Sequence, residues 1–492
     1  MMKKWPSKMI ESNGDYRDEQ HIERLIGGPL YQHQHTIPRL PVPSIEDTIQ
    51  RFLPTALPLA RTTDEQQALK QACHDFPQQA QQLQQRLIQR REDEGNKDSS
   101  WLQMWWNQMG YLQVRDPVVV NVSYFFHFLD DPTLHYTACN SNSVSGNISS
   151  SAKVNVQRGA ALLYSTAEFR KMVCTGQLTA EVIGSKTRGN QAPLCSVAYK
   201  YMFNSCRVPQ RQQDAYRMYD PSQHTHSIVS RKGYFFSIEL VDGESQDPLP
   251  IEVLEAQLER CIEMADDLSC VGASDMASDM ALDVTSDMAS GMTLSLSPRA
   301  KLGLLTSQNR DDWADGRQQL LDIGGDAFGK DLERLESGAI LLNLDDHSPV
   351  SRQECGEMCW TGGMKGGHNR WFDKSIQVCV SENGKSGFLG EHSMMDGMPC
   401  VRYADYITGV TYAEAKRRSH AKYDTETGAS SSLMMDVSSM VNELFGEILS
   451  STHGGPNGVA NGANSASSDS KMIVDLVDVA QASFYGLIKS HD

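Results

Sequence analysis

A β-hairpin pattern between residues 375 and 391 constrains the fold of this chain more than any other feature. The sequence predicts one strand over 375–380 and an antiparallel partner over 385–389. Asn383-Gly384 lies between them and predicts a tight turn, because both residue types tolerate positive φ. Gly390-Glu391 ends the second strand directly before His392. We therefore expect His392 to project from the end of a rigid hairpin.

Strand and helix patterns alternate over most of the remaining chain. Ser44 is a suitable N-cap for the helix that follows it, because its hydroxyl can accept a backbone hydrogen bond. After His392, Gly397 and Pro399 predict that no regular helix continues. Interleaved strands and helices indicate an α/β fold. Residues 117–129 are a β-rich run that is long for a single buried strand. The later predicted strands are 227–230 and 234–240, and the predicted helices are 64–94, 250–268 and 310–321.

Composition and charge exclude several classes of function. The formal net charge of the 492 residues is −17, and the basic residues form no stripe that could follow a nucleic acid. Apolar runs stay shorter than the roughly 18 residues that suit a membrane span, and the N-terminus lacks the apolar segment of a secretory signal. The 11 cysteines contain no C-x-x-C pair, which indicates free thiols. We expect an intracellular globular protein.

Three segments have the composition of insertions or linkers. Residues 140–151 are rich in Ser and Asn. Residues 271–297 contain a Ser-Asp-Met-Ala unit three times, which is too short to be a structural repeat. Residues 450–470 are rich in Gly, Asn and Ser and predict a flexible linker. Beyond it, an apolar stripe at helical spacing over 473–488 needs another surface to pack against.

His392 begins an H-x-x-x-D-G motif that suits an imidazole acting as a general base. A structural or surface role is the alternative for any single histidine. A metal site would need a second His or Cys at suitable spacing, so no metal is expected. A Ser/His/Asp hydrolase would need a G-x-S-x-G turn, which the sequence lacks. Cys355 and Cys359 have no second pair and are expected to be free thiols.

Asp396, four residues after the histidine, has two interpretations. It could orient the imidazole, or it could pair with an arginine and support the loop. The second is favoured, because a carboxylate at this spacing on a turn often points away from the ring. Arg370 is the candidate partner.

Ordered sequence blocks over residues 38–410 resemble the choline/carnitine acyltransferase family. They start with the Leu-Pro-Val-Pro segment at 40–43 and end with Gly-Glu-His-Ser at 390–393. The Ser-Met-Met-Asp-Gly sequence after His392 is most similar to the carnitine acetyltransferase branch. The resemblance favours this branch over the long-chain palmitoyltransferases, which carry N-terminal membrane segments that the sequence does not show. The blocks between are 105–119, 201–209, 216–221, 304–313, 344–349 and 369–375.

The resemblance implies the CoA-dependent acyltransferase fold, which is chloramphenicol acetyltransferase-like and has two similar lobes with the active site between them. Residues 1–35 would be a polar lead-in, and helices within 36–92 would pack with the second lobe. Residues 93–432 would form one complete lobe, a mixed β-sheet with flanking helices that carries His392. Residues 433–492 would begin the second lobe. The Tyr-Gly-x-Gly and Ser-Thr-Ser segments expected there do not occur, so we expect a C-terminally truncated chain that is nearly inactive.

The resemblance also implies a reaction. Family members transfer an acyl group, here expected to be acetyl, reversibly between coenzyme A and carnitine, without a covalent acyl-enzyme. His392 would deprotonate the carnitine hydroxyl or the CoA thiol, with a backbone carbonyl holding its other nitrogen. Tyr111 and Trp106 match positions that line the carnitine side of the site, and core packing is the alternative for Trp106.

Coenzyme A is a co-substrate in this scheme, and no bound cofactor is expected. A monomer in mitochondria or peroxisomes is favoured, with the cytosol as a third location. Three alternatives stay open: a choline acyltransferase, a medium-chain carnitine acyltransferase, and a non-catalytic binding or regulatory fragment of the family.

Overall fold

The computed structural model describes residues 28–93, 100–134, 153–184, 186–279, 298–363, 366–427 and 446–448. The predicted segments 140–151 and 450–470 and the apolar stripe at 473–488 lie outside these residues. The principal helices are Ile45–Ala56, Thr63–Glu92, Gln103–Asn107, Val118–Asn121, Val154–Cys174, Ile251–Asp279, Arg310–Ser337, Arg352–Thr361, Gly397–Gly409 and Tyr412–Thr427. The strands are β1 (Tyr124–His127), β2 (Val182–Ile183), β3 (Ala192–Pro193), β4 (Ser205–Val208), β5 (Ala215–Met218), β6 (His226–Arg231), β7 (Tyr234–Glu239), β8 (Leu341–Asp345), β9 (Ile376–Ser381), β10 (Ser386–Gly390) and β11 (Gly446–Ile448).

Seven of these strands form one mixed sheet in the order β1-β10-β9-β8-β6-β7-β11. The pairs β6·β8 and β8·β9 are parallel, and the other four neighbours are antiparallel. Strands β2·β3 and β4·β5 form two separate antiparallel ribbons. The expected α/β class with a mixed sheet and flanking helices is therefore confirmed.

Apolar side chains cover both faces of the sheet. Alternate residues of a strand point to opposite faces, so Leu342 and Phe388 belong to one core layer and Leu341 and Leu389 to the other. The helices Val154–Cys174 and Ile251–Asp279 supply apolar residues to the first layer, and Arg310–Ser337 supplies them to the second. The result is a helix–sheet–helix sandwich with β10 buried inside it.

The predicted hairpin is confirmed as β9 and β10. Their turn is closed by a 2.8 Å hydrogen bond from the Gly384 N–H to the Ser381 carbonyl. Gly384 adopts a φ of 80°, which a glycine reaches without strain. The N-cap is also confirmed, because the Ser44 side chain accepts from the Asp47 N–H.

Two local predictions are wrong. The segment 117–129 is a short helix, Val118–Asn121, followed by the four-residue strand β1, because Pro117 sets up a helical turn at its start. A helix, Gly397–Gly409, begins where none was expected to continue. Pro399 lies in its first turn, where the missing N–H would have no partner in any case, so this proline favours the start of a helix.

Candidate active site

His392 lies two residues after β10, at the end of the hairpin. Its ring is half-buried, and its Nδ1 lies 2.9 Å from the Met395 carbonyl oxygen. A carbonyl can only accept, so Nδ1 must carry the proton of the neutral ring and Nε2 holds the lone pair. The chain thus presents an imidazole with its basic nitrogen defined by the backbone of its own loop.

Two tyrosine rings contact the imidazole. The ring of Tyr124 meets it edge-on at a centroid distance of 4.8 Å, and the ring of Tyr111 lies tilted at 5.4 Å. Trp106 in turn meets Tyr111 edge-on at 6.2 Å. Burial raises the pKa of the Tyr111 phenol, and the carboxylates of Asp396 and Glu391 act in the same direction. Tyr111 is therefore neutral beside His392.

Glu391 fixes the backbone on the other side of the histidine. Its Oε2 accepts from the Ser393 N–H at 3.1 Å and from the Ser393 hydroxyl at 2.5 Å. Its Oε1 lies 3.3 Å from Nη1 of Arg207, whose Nη2 donates to the Tyr111 carbonyl at 3.0 Å. Arg207 therefore connects the segment that carries Tyr111 to the loop that carries His392.

Asp214 lies at the centre of this charge cluster. Its Oδ2 accepts from Nε of Arg207 and from Nε of Arg310, both at 2.7 Å, and its Oδ1 lies 3.0 Å from Nη2 of Arg115. Burial alone would raise the pKa of this carboxyl, but the three guanidinium groups hold it below its usual value. Asp214 is consequently ionised.

Asp373 completes the cluster on the far side of Arg310. It lies 2.7 Å from Nη2 of Arg310 and accepts from the Trp313 indole at 2.7 Å. Complete burial raises the pKa of this carboxyl to about 6. We call the six residues Arg115, Arg207, Asp214, Arg310, Asp373 and Glu391 the ionic network. When all are ionised, their three positive and three negative charges balance.

Comparison with known proteins identifies the family. The profile of the Choline/Carnitine o-acyltransferase family matches residues 40–447, which is most of the chain. The chain belongs to this family. The mitochondrial carnitine O-acetyltransferase of Saccharomyces cerevisiae is 27% identical over 385 residues, which cover 77% of this chain and 49% of the yeast protein.

Other relatives match at a similar level. The mitochondrial carnitine O-palmitoyltransferase 2 of Bos taurus is 27% identical over 80% of this chain and 55% of its own length. The carnitine O-acetyltransferase of Homo sapiens is 26% identical over 77% and 53%. This acyltransferase-family chain spans about half the length of the curated relatives it matches.

The aromatic residues predicted at the site lie together. Tyr111 and Trp106 form a chain of ring contacts that leads to His392. The alternative of core packing is wrong for Trp106, because its side chain is 56% exposed. A substrate-binding role for Tyr111 and Trp106 stays a prediction for this acyltransferase-family chain.

The suggested Asp396–Arg370 pair is wrong. Arg370 is fully buried and binds Asp345, with Nη1 and Nη2 at 2.7 and 2.8 Å from its two carboxylate oxygens. Asp396 is exposed and occupies the N-cap position of the helix Gly397–Gly409 without a side-chain capping bond. Arg370 is thus bound to the end of the strand β8, away from solvent. The support of the loop by Asp396 stays a prediction.

Sequence reasoning missed the ionic network and the contact with Tyr124. Arg207, Arg310 and Asp373 all lie within the sequence blocks that carried the resemblance, but nothing in the blocks indicated that these charged residues contact one another. Asp214 lies between the blocks 201–209 and 216–221, and no sequence signal indicated its role. Tyr124 lies in the β-rich run 117–129, and nothing in that pattern indicated a contact with His392.

Within the described ranges, no three His, Cys, Asp or Glu side chains cluster as a metal site would require. Cys355 and Cys359 are buried thiols, and burial raises the pKa of both. Among the described residues, no helix has the length and apolarity to cross a membrane.

Proposed function

We propose that this chain carries the general base of a carnitine acyltransferase and that His392 is that base. The observation that carries the proposal is the 2.9 Å contact of Nδ1 with the Met395 carbonyl, which leaves the lone pair on Nε2. A positioned imidazole of this kind can accept a proton from a hydroxyl or a thiol near neutral pH. Membership of the family and the names of the relatives support carnitine and acyl-CoA as substrates.

The proposed reaction needs no covalent intermediate with the protein. Nε2 of His392 takes the proton of the carnitine hydroxyl as its oxygen attacks the thioester carbonyl of acyl-CoA. The new C–O bond forms, the C–S bond breaks, and the imidazolium returns the proton to the departing thiolate. In the reverse direction His392 deprotonates the CoA thiol. The Met395 carbonyl stabilises the imidazolium in both directions, because Nδ1 keeps its proton throughout.

The ionic network supports this base by fixing its surroundings. Glu391 and Ser393 flank His392 in the sequence, and their mutual hydrogen bonds restrain the loop on both sides of the ring. Arg207 pairs with the Glu391 carboxylate and so restrains the residue that precedes His392. We assign these residues to positioning and only His392 to catalysis.

Acetyl is the proposed acyl group, with a longer chain as the second candidate. The relatives named as acetyltransferases and those named as palmitoyltransferases match this chain at nearly the same identity, 26–28%. The similarity of the sequence after His392 to the acetyltransferase branch favours the short group. A choline acceptor and a non-catalytic fragment are tested by the same experiment.

The lobe boundaries are part of the proposal. Residues 93–432 would form the catalytic lobe, and 433–492 would begin a second one, apart from β11 (Gly446–Ile448), which pairs with β7 in the sheet of the first. The helices Ile45–Ala56 and Thr63–Glu92 would pack on that second lobe. In support, both helices expose large apolar side chains, including Phe52, Phe76 and Leu83. Mitochondria are the proposed location, since relatives of both kinds carry that word in their names.

A panel of substrates tests the function. The purified chain is incubated with acetyl-, octanoyl- or palmitoyl-CoA and with carnitine or choline, and the ester product is measured by mass spectrometry. Thiol reagents are unsuitable because the chain has its own free cysteines. His392→Gln is the control, since glutamine has a similar reach but no base of suitable pKa. We expect slow formation of acetylcarnitine that falls roughly 10²–10⁴-fold in this variant.

The outcomes separate the alternatives. Preference for a longer acyl-CoA or for choline would replace the proposed substrate and leave the base in place. An absence of ester with every pair, or equal rates for His392→Gln and the unaltered chain, would show that the proposal is wrong. Circular dichroism of both proteins excludes a difference in folding.

A further inference from the structure

Tyr124 contacts the histidine from the first strand of the sheet. In β1 it pairs directly with Gly390, the last residue of β10. Its ring meets the His392 imidazole edge-on with centroids 4.8 Å apart, which is a favourable aromatic arrangement. A side chain at position 390 would place its Cβ 3.0 Å from Tyr124 Cζ and 2.8 Å from Phe388 Cε1. The glycine at the end of the hairpin therefore makes room for the tyrosine ring.

A second contact fixes the other end of this ring. The Tyr124 hydroxyl donates to Sγ of Cys400 at 2.7 Å. Cys400 is fully buried in the helix Gly397–Gly409, which starts directly after the histidine loop. Burial raises the pKa of the Tyr124 phenol and raises the pKa of the Cys400 thiol to about 12, so the hydroxyl keeps the proton that it donates.

These contacts enclose the catalytic loop. The loop leaves the sheet at Gly390 and enters the helix at Gly397. Tyr124 packs beside Gly390, where the loop leaves the sheet. Its hydroxyl donates to Cys400, which lies in the first turn of the helix Gly397–Gly409. The Tyr124 ring lies against the imidazole between them. A rotation of the imidazole away from the Met395 carbonyl would have to displace a ring that is held at both ends.

We propose that Tyr124 is a positioning residue for His392 and that the Cys400 thiol holds Tyr124 in the orientation that this role requires. The Nδ1–H tautomer then depends on the Tyr124–Cys400 hydrogen bond as well as on Met395. The inference rests on the proposed role of His392 as base, but its consequence is a property of the ring that can be measured without substrate.

Nitrogen-15 NMR of the selectively labelled histidine tests this inference. A spectrum that correlates the ring nitrogens of His392 with its carbon-bound ring protons through two bonds gives the ratio of the Nδ1–H and Nε2–H tautomers. In Tyr124→Phe the ring remains but the hydroxyl is lost, and in Cys400→Ala the acceptor is lost. We expect each change to lower the tautomer ratio by roughly three- to tenfold, the scale of one aromatic contact or hydrogen bond. Cys400→Ser restores an acceptor and should recover most of the ratio.

Tyr403→Phe is the matched control. Its phenol is also buried in the helix Gly397–Gly409 and hydrogen-bonds to Thr166 at 2.7 Å, but its ring contacts Phe169, Phe203 and Phe388 instead of His392. We expect this variant to lower the thermal midpoint and to leave the tautomer ratio unchanged.

A tautomer ratio that stays constant in Tyr124→Phe and Cys400→Ala, or that falls equally in Tyr403→Phe, would overturn the inference and make Tyr124 an ordinary core residue. A ratio that shifts as expected in a chain that forms no acyl ester would sustain the positioning role while refuting the proposed function. The two failures are therefore distinguishable.

Discussion

Removal of the charge on Asp214 is the most direct test of the ionic network. Asp214→Asn keeps the shape of the side chain but leaves Arg207 and Arg310, both fully buried, without the carboxylate that each meets at 2.7 Å. The network then holds three arginines against two carboxylates. Breaking a buried ion pair by removing one partner costs about 3 to 5 kcal/mol, because the remaining charge stays buried. Two such pairs converge here, so we expect a loss at the upper end of that range.

Urea denaturation followed by tryptophan fluorescence measures this loss, and Trp313 reports from within the network itself. Asp315→Asn is the control, because Asp315 pairs with Arg211 where both side chains are substantially exposed. An exposed pair contributes less than about 1 kcal/mol. If the two substitutions lowered the free energy of unfolding equally, the network would contribute nothing beyond surface pairing, and the account of how Glu391 is held would be wrong.

Three further predictions concern stability. The pKa of Asp373 is about 6 in the fold, above the value in the unfolded chain. The contribution of Asp373 to the free energy of unfolding is therefore complete below about pH 4 and is lost as the pH rises through 6. In Asp373→Asn, measured from pH 4 to 7, the free energy of unfolding should lack that decline of about 1 to 3 kcal/mol. Gly387→Ala should lower the thermal midpoint steeply, because its Cβ would lie 2.1 Å from Cys359 Sγ. Gly397→Ala should raise the free energy of unfolding, by at most the roughly 0.5–1 kcal/mol that alanine gains over glycine in a helix, because its Cβ would meet nothing within 4 Å. A lower free energy of unfolding would contradict the assigned helix start.

Local signals gave the hairpin and the histidine. Asn383-Gly384 marks a turn within four residues of sequence, and the alternation on either side marks the strands, so no distant information was needed. The class of fold followed from the same kind of pattern. Local signals failed at Pro399, which breaks a helix in its interior but favours one in its first turn. Only the position of the preceding N-cap decides between these two effects.

Partners that lie far apart in the chain could not be predicted. Arg370 was one possible partner for Asp396, yet it binds Asp345 on the strand β8. The hydrogen bond between Tyr124 and Cys400 joins residues 276 positions apart. Such pairs are set by strand order, and a single sequence carries the strands but not the order in which they assemble.

That strand order has a consequence for how the protein folds. Only a short turn separates β9 from β10 in the sequence, whereas β1 pairs with β10 from a position far earlier in the chain. Contacts that close long loops form late, because the chain loses conformational entropy before the new contacts stabilise it. The hairpin that presents His392 should therefore acquire protection from hydrogen exchange early in refolding, and the amides of β1 should follow. The histidine then has its backbone partner before it has its tyrosine neighbour, and maturation of the site becomes the last step of sheet assembly.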